Sequence, residues 1–138
     1  MRNRIFNAVL TLCGVMMAVT LISCASFEKN AYISLGGTTT AVEIARQAYI
    51  NYANNCLCVT SNQFRRVQNA YESYQTAAAL TQQAIVNFKS AATPNENALK
   101  AALDGSAAET SNLLAVITSA LPTNETARLN RTLAKVNH

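Results

Sequence analysis

The chain has no tryptophan, two prolines and one histidine among its 138 residues, and charged residues make up only 13% of it. Each shortage removes a class of activity. The one histidine is His138, the last position, so a Ser/His or Cys/His nucleophile pair has no base to draw on. Apart from the leading Arg2 and Arg4, the largest Lys/Arg cluster is Arg65-Arg66, too small to track a nucleic-acid backbone. The acids Glu28, Glu43, Glu72, Glu96, Asp104, Glu109 and Glu125 stand one at a time, with no pair placed for acid and base work. The sequence therefore predicts no enzyme, no catalytic residues, no cofactor, no metal, no small-molecule substrate and no nucleic-acid partner. What remains is rich in Ala, Thr, Asn and Gln, which suits helices around a thin core better than sheets.

The most informative run lies near the start. Arg2 and Arg4 precede an apolar stretch over 5–22, which ends in small residues, the layout of a secretory signal. About 18 apolar residues would just span a bilayer, but the stretch stops abruptly at Cys24-Ala25-Ser26. No basic stop-transfer cluster follows, because Glu28 and Lys29 cancel.

Leu21-Ile22-Ser23-Cys24 resembles a bacterial lipobox, which makes Cys24 the mature first residue and the site of lipidation. The resemblance implies a diacylglyceryl thioether on Cys24 and an acyl group, such as palmitate, on its amino group. Two or more chains, each burying roughly 0.8 kcal/mol per methylene, anchor a protein stably where one does not. In a Gram-negative envelope, Ala25 in place of an aspartate implies sorting to the periplasmic face of the outer membrane. Loss of residues 1–23, with Cys13 among them, leaves 115 of the 138 residues, enough for one small domain. Its net charge falls from +4 to +2 as Arg2 and Arg4 leave.

Residues 24–37 read as the lipidated N-terminus and a tether, with Gly36-Gly37 closing it and Thr38 to Thr40 offering hydroxyls to cap a helix. A first helix over 41–54 follows, with Ala41, Ile44, Ala45, Ala48, Tyr49 and Tyr52 on one stripe. Thr60 with Gln63 is a capping box that opens a long second helix. Its seam runs Phe64, Val67, Tyr71, Tyr74, Ala78, Thr81, Ile85 and Phe88 at alternating spacings of three and four. Ala70, Ala77, Ala84 and Ala91 form a uniformly small flank beside it.

Thr93 and Glu96 read as a second capping box with Pro94 at the first helical position, opening a third helix that ends before Pro122. Folding the chain about so short a turn sets Phe88 near Leu99, Thr81 near Ser106, Tyr74 near Leu113 and Tyr71 near Ile117. Tyr71 then lies at the centre of both interfaces. Gly105 marks a place for a kink. The expected fold is all-α: an antiparallel three-helix hairpin over 38–121 with one long central helix, followed by a basic tail over 122–138. The first helix covers only half of the second, so the tip around Phe88 to Leu103 is left with apolar surface. The tail, with Leu129, Leu133 and Val136 on one side, is either a short helix docking there or frayed.

Cys56-Leu57-Cys58 falls in the first turn. In an oxidising compartment this pair has three readings: a local disulfide or plain thiol pair fixing the turn, an intermolecular disulfide joining two copies, or a Cu(I) site. A bridge across one residue closes a very small ring and is relatively labile.

The stretch 38–121 is similar to a group of small helical lipoproteins of bacterial genomes and prophages, often encoded near lysis genes. The shared features are Phe64-Arg65-Arg66-Val67, Tyr71, Tyr74-Gln75, the turn Thr93-Pro94-Asn95-Glu96, and a return helix through Leu113-Leu114 and Ile117. The group commonly has glycine in the first turn, where this chain has Cys56-Leu57-Cys58. The resemblance implies a structural or interaction lipoprotein of the cell envelope, held to the membrane by lipid on Cys24 and facing an envelope protein or a second copy of itself. The alternative is a small thiol-dependent redox or metal-handling protein using Cys56 and Cys58.

Overall fold

A computed structural model describes the backbone of residues 2–56 and 58–136 and the side chains of 26–56 and 58–135. Among the described residues four helices follow one another: α1 (Arg2–Asn55), α2 (Ser61–Ser90), α3 (Glu96–Ala120) and α4 (Thr123–Val136). The all-α expectation is borne out.

α2 and α3 form an antiparallel hairpin, α1 packs along both, and α4 packs on α1. The capping box at the start of α2 forms in both directions. Gln63 N–H donates to Thr60 Oγ1 at 3.2 Å, and Thr60 N–H donates to Gln63 Oε1 at 3.0 Å. α3 begins differently from the sequence expectation. Its cap is Asn95, whose side-chain oxygen accepts from Ala98 N–H at 3.0 Å, and Pro94 lies before the helix. An Asn at the cap satisfies the orphan donor as well as a Thr does, so the start moves two residues on. α3 runs unbroken through Gly105.

The larger departure is in α1. The helix does not start at Ala41; it passes through Gly36-Gly37 and includes the segment read as a tether. The hydroxyls expected to cap turn back instead: Thr38 and Thr39 donate to Leu35 O at 2.8 and 2.9 Å, and Thr40 to Gly36 O at 2.9 Å. The physical reason is packing. Ala31, Val42, Ala45 and Tyr49 are buried, and with Phe27, Leu35, Thr38 and Tyr52 they form one stripe along the helix. Burying that stripe outweighs the roughly 1 kcal/mol that each helical glycine costs.

The core falls into two clusters. One joins Val42, Ala45 and Tyr49 of α1 to Val67, Ala70 and Tyr74 of α2, Leu113 and Ile117 of α3, and Leu121 and Leu129. The other joins Ala31 to Ile85, Phe88 and Leu99, with Phe27, Leu35, Ala84 and Leu103 packed around them. Between them lies a buried polar layer of Thr81, Ser106 and Thr110. Each of its hydroxyls is satisfied by a carbonyl. Thr81 reaches Ala77 O at 2.9 Å and, across the hairpin, Ala102 O at 2.8 Å. Ser106 donates to Leu103 O and Thr110 to Ser106 O.

Thus the hairpin tip around Phe88 and Leu99 is covered by the early part of α1, and it is not bare. α4 docks at the opposite end, where Leu129 is buried against the first cluster and Leu133 packs beside it. Two seam residues also leave the centre of the core, Phe64 for solvent and Tyr71 for the edge of the first cluster. Phe64 is 54% exposed and Tyr71 is half-buried, while Ala70 of the small flank is buried in their place. A straight helix drifts about 20° per heptad against a 3.5-residue seam, and the small flank lets a neighbour take up that rotation.

Candidate functional site

Among the described residues, the one place where reactive side chains gather is the α1–α2 connection. α1 ends as Asn55 reaches back to Asn51 O at 2.7 Å and Cys56 N–H donates to Tyr52 O at 2.9 Å. Cys56 and Cys58 are joined by a disulfide, with their Cα atoms 5.2 Å apart. Tyr52 Oη lies 3.0 Å from Cys58 Sγ. A disulfide sulfur carries no proton, so the tyrosine is the donor.

The two sulfurs stand in different surroundings. Cys58 is exposed. Cys56 is half-buried and lines a groove of about 560 Å³ with Ala53, Asn54, Thr60, Phe64, Arg65 and Gln68 among its walls. Arg65 is the only charged residue of that lining. The first turn of α2, whose positive dipole end favours negative charge, forms one rim through Thr60 and Ser61. The role of Tyr52 was not legible in the sequence, where it is one more residue of an apolar stripe. Its spacing of six from Cys58 places it one turn back from the loop, and that is the only signal.

Two further clefts flank α1. One, of about 460 Å³ between α1 and α4, carries Gln47, Asn51, Asn55, Glu125, Arg128 and Thr132 on its walls. The other, of about 380 Å³ between α1 and α2, is bounded by Tyr49, Ile50, Phe64, Tyr71 and Leu113, with Arg46 stacked 4.8 Å above the Tyr71 ring. Tyr49 is 2% exposed, and its hydroxyl has no hydrogen-bond partner among the described residues. Burial pushes its pKa above the ordinary value of 10.0, and the neighbouring Tyr52 adds to the shift.

Cys24 lies within the backbone of α1, but its side chain, like those of the apolar run 5–22, is outside the described residues. His138 is outside them too. Among the described residues no helix is long and apolar enough to cross a membrane, and no three His, Cys, Asp or Glu side chains gather as metal ligands. Two ion pairs are formed there, Glu43 with Arg46 at 3.7 Å and Glu28 with Lys89 at 3.5 Å. Compared with protein-family models, curated proteins and solved structures, the chain matches none of them.

Proposed function

We propose that this chain is a lipid-anchored helical module of a bacterial envelope, of the prophage-associated kind, with a structural or interaction role. The observation that carries the reading is Leu21-Ile22-Ser23-Cys24 at the end of an apolar run led by Arg2 and Arg4. Cleavage before Cys24 leaves the lipid three residues from Phe27, whose side chain packs on the bundle. The fold supports a short connection, since 26–40 is helical. The α2–α3 turn then faces the bilayer. Residues 24–55 of α1 rise about 45 to 50 Å at 1.5 Å per residue, so the Cys56–Cys58 loop and α4 project into the aqueous space. There they face an envelope protein or a second copy.

Mass spectrometry of protein from the membrane fraction tests this. The expected mass corresponds to a chain starting at Cys24 and carrying a diacylglyceryl group and an amide-linked acyl chain. Cys24→Ala abolishes both the cut and the lipid. An intact, unlipidated wild-type chain in that fraction would overturn the proposal.

A further inference from the structure

We infer that the Cys56–Cys58 disulfide is a thiol-exchange site, at which a thiolate enters the groove, attacks Cys56 Sγ and expels Cys58. The inference goes beyond the anchored module proposed above and does not depend on the lipid.

Three observations carry it. Cys56 and not Cys58 lines the groove, so a nucleophile held there stands on the Cys56 side of the bridge. Cys58 Sγ already accepts the Tyr52 hydroxyl at 3.0 Å, and a donor placed on a sulfur stabilises it most when it leaves as thiolate. Arg65, with the first turn of α2, makes the groove the side from which an anion approaches.

A purely structural role leaves these features without a purpose. A bridge over a sequence separation of 2 closes a very short loop and so restricts the unfolded chain little. The turn is already fixed on either side, by Cys56 N–H on Tyr52 O and by the Thr60–Gln63 box.

The step balances as follows. The attacking thiolate forms a new S–S bond to Cys56 Sγ, the Cys56–Cys58 bond breaks, and its electron pair leaves on Cys58 Sγ, steadied by Tyr52. A second thiolate then attacks the sulfur of the first thiol. The two external thiols depart as a disulfide, and Cys56 and Cys58 take up protons from water. Two electrons pass from the thiols to the protein. The thiol belongs to a small molecule or to a cysteine in a polypeptide.

The test uses the 138-residue chain in detergent, oxidised, with reduced glutathione in one arm and a short single-cysteine peptide in the other. Exchange is quenched with iodoacetamide, and the tryptic segment holding both cysteines is sequenced by mass spectrometry. The expected product carries the added thiol on Cys56 and the alkyl group on Cys58, and it forms roughly tenfold faster than glutathione exchanges with its own disulfide. A faster peptide arm identifies a polypeptide source, and a faster glutathione arm a small thiol. Tyr52→Phe is expected to slow the first step roughly 3- to 10-fold, with its circular dichroism melt reported alongside. Should that variant fold poorly, Arg65→Gln at the exposed rim is expected to slow exchange and remove its salt dependence. Exchange no faster than that of glutathione disulfide, the added thiol found on Cys58, or unaltered rates in both variants would overturn the inference.

Discussion

The ring of Phe27 lies 5.7 Å from that of Phe88, tilted by 49°, and this contact ties the early part of α1 to the tip of the α2–α3 hairpin. Glu28, half-buried, and Lys89, exposed, pair beside it at 3.5 Å, a contact open to solvent on the lysine side that contributes little by itself. Further along, Tyr74 Oη donates to Thr39 Oγ1 at 3.1 Å. The segment preceding Ala41 is therefore part of the bundle. Phe27→Ala is expected to lower stability by roughly 1 to 2 kcal/mol, as befits a half-buried ring, in urea unfolding of the chain from Cys24 on. A melt identical to wild type would mean that the ring does not pack.

The polar layer predicts additivity. Thr81 and Ser106 sit at one level, but each donates to a carbonyl and neither to the other. Thr81→Val, which keeps the shape and loses the bond to Ala102 O, is expected to cost about 1 kcal/mol. Ser106→Ala costs less, and the double variant equals the sum within about 0.5 kcal/mol. A large coupling energy would show that the hydroxyls bond to one another.

Tyr49 makes a prediction with pH. Its folded pKa is raised, so the folded state holds the phenolic proton at pH values where the unfolded chain has released it. The resulting stability is complete below about pH 10, the unfolded value, and is lost as pH rises through the folded pKa. Tyr49→Phe removes a buried hydroxyl without a partner among the described residues. It is expected to be neutral or stabilising by up to about 1 kcal/mol at pH 7. Its melting temperature should also fall less than that of wild type between pH 9 and 11. An equal alkaline fall in both proteins would contradict the assignment.

Much of the hairpin was legible. The seam Val67, Tyr74, Thr81, Ile85 and Phe88 is buried, as are Leu99, Ser106, Thr110, Leu113 and Ile117 opposite. The Thr60–Gln63 box forms because its chemistry is local. In α1 two local signals mask a longer period. Gly36-Gly37 and the run Thr38 to Thr40 suggest a break, yet Phe27, Ala31, Leu35, Thr38, Val42, Ala45, Tyr49 and Tyr52 repeat at spacings of three and four across them. That stripe was present in the sequence and was interrupted only in appearance, because Thr38 occupies an apolar position. The central place that the seam assigns to Tyr71 belongs to Tyr74, which is buried, since a seam of 3.5 residues per turn drifts off a 3.6-residue helix. Tyr71→Ala should accordingly cost less than Tyr74→Ala, by roughly 1 kcal/mol or more in equilibrium unfolding.

The glycines offer a graded check. Gly36, Gly37 and Gly105 are helical, and a Cβ added at any of them meets nothing within 4 Å. Each Gly→Ala change is expected to stabilise by roughly 0.5 to 1 kcal/mol. Gains at Gly105 without gains at Gly36 and Gly37 would return 24–37 to a tether.

Amide hydrogen exchange over 27–40 in the chain that starts at Cys24 tests most directly whether α1 carries the bundle down to its anchor. A helix packed through Phe27 and Ala31 onto Phe88 and Leu99 predicts exchange slowed on the order of a hundredfold or more at 31–40 relative to free peptide. Exchange at free-peptide rates across those residues, with α2 and α3 still protected, would contradict it.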